Sequence, residues 1–355
     1  MTPAEGPSLA DLGEWELIER LAAFAPPGQF SDDAALVDLP GPLVVNTDVL
    51  VEQVHFSDAS TSGFDVGWRA AAANLSDLAA MGCSSVCGLT VGLVAPGSTP
   101  WSWVEAVYTG LRACLDSHGG QLLGGDCSSG TLRLLAVTAL GGLARTTGGD
   151  PAPIRRGDGK PGDRLVSTGP HGLSRLGLAV LLGALPEGLA RGLEPSLLER
   201  AIAAHQRPRP RLDAVAALHA SRPRNSLWRV GGTDSSDGLA AAAEAIARSS
   251  GCRALLDRRR LPLDPGMAAL PEALDWCLGG GEDFELILAL EAAWAEALVA
   301  RLPGAQIIGE LAERSQEGRA IGWLGDAEAF PASAAGFTHF QLRATTSARS
   351  TTRWL

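Results

Sequence analysis

Carboxylates at the ends of short apolar runs are the residues of this sequence best suited to chemistry. Asp32-Asp33 follow a Pro/Gly turn, Asp48 ends the run Leu43 to Thr47, and Asp77 sits within Asn74-Leu75-Ser76-Asp77-Leu78-Ala79-Ala80-Met81-Gly82. Asp126 closes Gly124-Gly125-Asp126, Asp234 and Asp237 flank Ser235-Ser236 ahead of Gly238, and Glu282-Asp283 follow the glycines Gly279 to Gly281. Taken singly, an Asp in such a place is a turn former or helix cap, and Asp237 would also complement a helix dipole. Asp77 resists that account, because a carboxylate among Leu, Ala and Met is rarely buried without a partner. Few Lys or Arg lie nearby in sequence. Two carboxylates about 4 Å apart repel by about 1 kcal/mol in water and about 4 kcal/mol at an effective dielectric of about 20. Several converging on one cleft therefore need cations, and a hard, oxygen-seeking ion such as Mg²⁺ characteristically brings substrate phosphates with it. The glycines beside Asp126 and Glu282 either form tight turns or let backbone approach a ligand closely.

The familiar phosphate-handling and hydrolytic signatures are absent. The chain has no G-x-x-x-x-G-K-[ST] loop, no G-x-G-x-x-G after a strand, no kinase H-R-D or D-F-G, no G-x-S-x-G elbow and no H-E-x-x-H. Acid clusters with glycine turns and no P-loop suggest a metal-dependent phosphoryl-transfer site of an unusual type.

Composition narrows the class further. Its 355 residues favour two domains, and 46% hydrophobic content with 19% charged residues is enough to bury a sizeable core. A net charge of −11 lacks the basic footprint of a nucleic-acid or anionic-membrane binder. The longest stretch without Asp, Glu, Lys or Arg, Leu78 to Val104, is broken by Gly, Ser, Thr and Pro, so no membrane span is expected. Met1 to Asp11 lacks the basic start and apolar core of a secretory signal. Six cysteines without a C-x-x-C pair read as reduced thiols of a cytoplasmic protein.

The elements that must position these acids alternate in type. Ser8 with Asp11 reads as a capped helix start, with Leu17, Leu21 and Phe24 on one face and an end near Pro26-Pro27. Leu43 to Val45 reads as a short strand, Trp68 to Met81 as an Ala-rich helix stopped by Gly82, Val86 to Val94 as a strand, Trp103 to His118 as a helix, and Leu132 to Leu143 as a strand. Between Thr146 and Gly162 the composition turns to Gly, Pro and charge, a domain boundary. Beyond it come a strand at Arg164 to Thr168, helices at Leu173 to Leu182 and from Leu212, a helix capped by Ser236, and strands at Cys252 to Asp257 and Phe284 to Leu290. This predicts an α/β (α+β) fold in two units, 1–150 and 151–345, with a polar tail over 346–355.

Several stretches, in order, resemble the thiamine-monophosphate kinase family, of the superfamily that includes aminoimidazole ribonucleotide synthetase. They are Glu14 to Ile18, Asp32-Asp33-Ala34-Ala35, Asn46-Thr47-Asp48-Val49-Leu50-Val51-Glu52 leading to Val54-His55-Phe56, and Asn74 to Gly82. Gly124-Gly125-Asp126, Lys160 to Asp163, Ser235 to Leu239, and Gly280-Gly281-Glu282-Asp283-Phe284-Glu285-Leu286 follow. The resemblance runs from about residue 12 to 340. It implies an aminoimidazole ribonucleotide synthetase-like fold, with an N-terminal mixed sheet that dimerises and a C-terminal α/β domain that closes the cleft. It also implies a homodimer that phosphorylates thiamine monophosphate to thiamine diphosphate with ATP and several Mg²⁺ ions, by direct in-line transfer without a phosphoenzyme. Carried over by position, Asp33, Asn46, Thr47, Asp48, Asp77, Asp126, Asp234 and Asp237 match metal positions, with Asp126, Asp48 and Asp237 the catalytic acids. Tyr108, Gly125, Asp126, Arg156 and Ser236 match ATP contacts, and His55, Glu282 and Phe337 match substrate contacts. The chain departs from the family pattern at Ser31, usually Gly, at Asn46, usually Ser, and in the loop Pro170 to Leu178.

Two alternatives frame that reading. One is another ATP-dependent enzyme of the superfamily. A selenophosphate synthetase needs a reactive Cys or Sec near its start, whereas the first Cys here is Cys83. A carbamoyl-dehydrating maturation factor carries a C-terminal Cys, whereas this chain ends Arg353-Trp354-Leu355. The other is a catalytically idle nucleotide-binding protein on the same fold, which would have been free to lose the acids that this chain keeps.

Overall fold

A computed structural model describes residues 6–29, 34–35, 37, 41–224, 226–314, 319–326 and 328–331. The N-terminal half comprises α1 (Leu9–Leu21), β1 (Leu43–Val51), α2 (Gly63–Ala80), β2 (Cys83–Ala95), α3 (Trp101–His118), β3 (Gln121–Ser129) and β4 (Leu134–Leu143). Helix α1 starts with the expected capping box, Ser8 Oγ accepting from Asp11 N at 3.3 Å while Asp11 Oδ2 accepts from Ser8 N at 2.9 Å. The four strands lie in the order β1-β4-β2-β3, antiparallel except for the parallel pair β2 and β3. Helices α2 and α3 cover one face and cross through two glycines. A Cβ on Gly67 would fall 1.8 Å from Val107 O, and one on Gly110 would fall 1.9 Å from Phe64 O, so no larger residue permits this approach.

The other face of the sheet is uncovered. Side chains alternate along β1. Leu50 is buried towards α2, while Leu43, Val45 and Val49 are 42%, 55% and 44% exposed on the opposite side.

In this first sheet the structure departs from the sequence expectation at two places. Asp48 does not end its strand but lies in the middle of β1, because pairing with β4 continues from Leu43↔Gly142 to Val51↔Leu134. Gly124-Gly125-Asp126 forms neither a turn nor a ligand-facing loop. It lies within β3, and Gly125 is needed because a Cβ there would fall 2.1 Å from Val91 O of the neighbouring strand.

The C-terminal half contains β5 (Arg164–Ser167), α4 (Leu173–Leu181), α5 (Glu187–Gly192), α6 (Pro195–Gln206), α7 (Leu212–Ser221), β6 (Gly231–Asp234), α8 (Leu239–Ser249), β7 (Cys252–Leu256), α9 (Ala273–Gly279), β8 (Leu286–Leu290), α10 (Ala292–Arg301), β9 (Gln306–Glu313) and β10 (Ile321–Trp323). Its six-stranded sheet runs β10-β7-β9-β5-β8-β6. Strand β8 is buried throughout because helices cover both faces. Ile287 and Ala289 pack with Leu239, Ala243 and Ile246 of α8, while Leu286, Leu288 and Leu290 pack with α7 and α10. Ala79 and Ala80, at the end of α2, join that second layer, so α2 belongs to the cores of both halves. Ser236, expected to cap α8, does not. Gly238 occupies the cap position at φ 111°, without a side-chain bond.

Candidate active site

The alternation of β1 that leaves Val45 and Val49 outside turns Asn46 and Asp48 inward against α2. Asn46 Nδ2 donates to Asp77 Oδ2 at 2.9 Å and to Asn74 Oδ1 at 3.1 Å, and that same Asn74 oxygen accepts from Asp48 N at 3.2 Å. Asn74 and Asp77 are three residues apart, hence on one helical face. Asn74 is fully buried and donates to Ala70 O at 2.8 Å, so its orientation is fixed.

The second half delivers Asp234 at the end of β6, 5% exposed, where Ser76 Oγ donates to Asp234 Oδ2 at 2.8 Å. Arg156 Nε donates to Thr233 Oγ1 at 3.1 Å, which brings its charge beside Asp77 and Asp234. Burial, followed by the charges of Asp234 and Asp48, raises the Asp77 carboxyl to about 7. Asp234 rises to about 6, chiefly through burial and then through Asp48 and Asp237, against the Ser76 bond and Arg156. Asp48 is raised too, by burial and then by Asp237.

Three carboxylates raised by burial and by neighbouring acids, Asp237 among those neighbours, need counter-charge. Among the described residues no three His, Cys, Asp or Glu side chains converge closely enough to hold an ion on their own. The donor set nevertheless fits a hard cation. It is all oxygen, and Asn46 Oδ1 is buried in it with no hydrogen-bond partner, an acceptor of the kind such an ion satisfies.

Beside the acids, two loops are knitted together. Glu282 N donates to Ser236 O at 2.7 Å, Ser235 N to Glu285 O at 2.9 Å, and Glu285 N to Ser235 Oγ at 3.2 Å. Glu282 and Phe284 adopt φ 59° and 52°, a left-handed conformation costly for non-glycine residues and typical of functional loops. Gly281 lets this backbone close on its neighbour, since a Cβ there would fall 2.8 Å from Ser236 O. Arg211 pairs with Glu285, and Asp283 accepts from Gly172 N at 2.7 Å and Ser174 N at 3.1 Å at the start of α4. In the divergent loop, His171 is fully buried and meets Ser235 Oγ at 2.9 Å, and burial lowers it to about 4, so it is a neutral brace. The Glu282 carboxylate meets Arg69 Nη2 at 2.5 Å, and that same nitrogen donates to His55 O at 3.1 Å.

Of the residues singled out from sequence, Asn46, Asp48, Asp77, Arg156, Asp234, Ser236, Asp237, Glu282 and His55 thus gather along the seam between the two sheets. Thr47 faces the uncovered side of its sheet, bonded to Thr138 Oγ1 at 2.8 Å. Asp126 and Gly125 are exposed on β3, at the far edge from β1. Cys127 packs towards the helices, so Asp126 is turned to the uncovered face, where its Oδ1 accepts from Cys127 N at 2.9 Å. Tyr108 is 3% exposed on the inner face of α3, its ring 5.7 Å from that of Phe24. Asp33 and Phe337 lie outside the described residues. Sequence reasoning did not assign roles to Asn74, Ser76, Arg69 and His171. The available signal for the first three was a set of polar residues inside an otherwise apolar helix.

Known proteins share the fold that carries this site. Residues 31–143 match the AIR synthase related protein, N-terminal domain, and residues 160–321 match the corresponding C-terminal domain. Thiamine-monophosphate kinase of Prochlorococcus marinus is 47% identical over 308 residues, covering 86% of this chain and 90% of that protein. The crystal structure of thiamine-monophosphate kinase from Stenotrophomonas maltophilia superposes with a TM-score of 0.72 at 32% identity, covering 89% of this chain and 98% of that one. The structure of AaThiL complexed with AMPPCP and TMP gives a TM-score of 0.66 at 28% identity, covering 87% and 93%. Matches to both domain models and to a relative at this identity and coverage establish that the chain belongs to the thiamine-monophosphate kinase family of AIR synthase related proteins.

Proposed function

We propose that the chain transfers the γ-phosphoryl group of ATP to thiamine monophosphate (TMP), giving thiamine diphosphate and ADP. The observation that carries this reading is the acid cluster shared by the two halves, with the orphaned Asn46 Oδ1 inside it. A terminal phosphate oxygen of TMP attacks the γ-phosphorus as the bond to the bridging β-γ oxygen breaks, so ADP leaves and no protein nucleophile is required. Mg²⁺ held by Asn46, Asp48, Asp77, Asp234 and Asp237 would neutralise the charge of two polyanions brought together. Arg156 and Ser236, next to Asp234, are suited to the nucleotide. Glu282 and His55 are suited to the thiamine end, where a carboxylate attracts a cationic thiazolium. Asp33 and Phe337 keep their proposed metal and substrate roles on resemblance alone.

The active form in this reading is a homodimer. Asp48 and Asp126 stand on opposite edges and opposite faces of one sheet, three strand spacings or about 14 Å apart, too far to share an ion within one chain. A second copy whose β3 edge pairs with β1 closes an eight-stranded barrel. The exposed Val45 and Val49 then lie inside it, and the partner's Asp126 comes beside Thr47, which shares that face and directly precedes Asp48 in β1. The division of labour follows: residues 1–150 dimerise and hold most of the acids, and residues 151–345 close over the substrate. No helix among the described residues is long and apolar enough to cross a membrane, and the six cysteines are unpaired, which suits the cytoplasm.

The direct test is an assay with purified protein, ATP, Mg²⁺ and TMP, with thiamine diphosphate separated and quantified. Product that requires both TMP and the divalent ion is expected. ATP binding without thiamine diphosphate formation would overturn the assignment.

A further inference from the structure

We propose that Arg69 is a positioning residue of the substrate pocket, and that α2 acts through it as a ruler between the two ends of the substrate. The proposal rests on the reading of Glu282 and His55 as thiamine-side contacts. Arg69 is only 4% exposed, and its costly buried guanidinium, whose Nε has no partner, is held entirely through its two terminal nitrogens. Nη2 bridges the Glu282 carboxylate at 2.5 Å and the His55 carbonyl at 3.1 Å, while Nη1 donates to the His205 carbonyl at 2.8 Å. One side chain thus ties together the loop after β1, the end of α6 and the glycine loop before β8.

A residue that only braced a helix could rely on carbonyls. Here the charged partner is a carboxylate whose side chain stays 35% exposed, with one oxygen fixed and the other 3.7 Å from His205 Nδ1. His205 does not compete as a cation, because burial and then the charges of Arg69 and Arg175 depress it to about 2. Glu282 also sits in a strained φ 59° conformation, which persists only where its surroundings hold it.

The spacing along α2 gives this its consequence. Ser76 lies seven residues beyond Arg69, two turns or about 10 Å along the same helical face, and it bonds Asp234. One rigid helix therefore holds the carboxylate proposed to meet thiamine and the carboxylate proposed to serve the phosphates at a fixed separation.

The test compares Arg69→Gln, Arg69→Lys, Glu282→Gln and the double variant Arg69→Gln/Glu282→Gln by steady-state kinetics in both substrates. Arg69→Gln is expected to raise KM for TMP about tenfold, with KM for ATP within about twofold and a smaller effect on kcat. Arg69→Lys should recover part of the loss, and the double variant should match Glu282→Gln alone, since Arg69 acts through that carboxylate. Additive effects in the double variant, or equal damage to both KM values, would overturn the proposal and leave Arg69 a structural residue. If Glu282→Gln leaves KM for TMP unchanged, the substrate reading falls and the proposal with it. If Glu282→Gln raises that KM and Arg69→Gln does not, the proposal alone falls. Should Arg69→Gln fail to fold, Arg69→Lys decides: an unchanged KM for TMP overturns the proposal, and an intermediate rise supports it.

Discussion

Ser76 Oγ donates to Asp234 Oδ2 across 2.8 Å, a buried bond between a helix of the N-terminal half and a strand of the C-terminal half. It sets Asp234 against Asp77, one residue further along α2, so that after burial the charge of Asp234 does most to raise the Asp77 carboxyl, and this is built into the junction of the two sheets.

Metal affinity should rise with pH. Asp77 and Asp234 hold their protons up to about 7 and about 6 without an ion, and a cation must displace those protons to bind. Calorimetry of Mg²⁺ binding from about pH 5.5 to about pH 8 should show affinity climbing and then levelling, with proton release that fades towards pH 8. A flat profile would contradict the coupling.

Replacing Asp77 by Asn should stabilise the metal-free protein. The folded pKa of about 7 lies above the ordinary value of 3.8, so between the two the native state binds more protons than the unfolded one. The stability contribution of this group is therefore fully present below about pH 4 and lost as pH rises through about 7. Asp77→Asn keeps an acceptor oxygen available for Asn46 and removes the charge. It should melt several degrees above wild type near pH 8 in chelator, with the gap narrowing towards pH 4, and turnover should fall by orders of magnitude. A variant that melts lower near pH 8 would count against the strain.

Asp48 and Asp126 should complement each other between subunits. Asp48→Asn and Asp126→Ala homodimers should each lose turnover by orders of magnitude while keeping the far-UV circular dichroism of the parent. If Asp126 serves the partner's site, a mixed dimer carries one doubly altered site and one intact site. Random exchange should then restore about a quarter of wild-type activity. No recovery after demonstrated subunit exchange would place Asp126 outside the shared site.

The uncovered face should be what dimerises. Val45 is 55% exposed beside Val49 at 44%, on the side of β1 away from α2. Val45→Glu should leave the monomer fold intact, because the side chain touches no core in one chain, and should shift the protein to monomer in sedimentation with loss of turnover. A stable Val45→Glu dimer would direct attention to another surface.

Much of this was legible in the residue order. The capping box of α1, the Ala-rich α2 ended at Gly82 and the alternation of types follow from local rules of spacing and capping, so they can be read without knowing what lies across the chain. The acids were legible for a related reason, since a carboxylate such as Asp77 among Leu and Ala conflicts with burial unless something answers its charge. The extent of β1 was not legible, because Asn46 and Asp48 are poor strand formers held in register by β4, a partner about ninety residues away. Nor was β3, whose Gly124-Gly125 reads as a turn until Val91 O is seen where a Cβ would go. Residue types and spacing determined that acids and phosphates belong together in this protein. Only the tertiary structure decided which acids meet within one chain, that Asn74, Ser76 and Arg69 hold them, and that Asp126 points away on the opposite edge of its sheet. Strand order and facing depend on long-range pairing and on what packs behind each strand, and no local pattern encodes them.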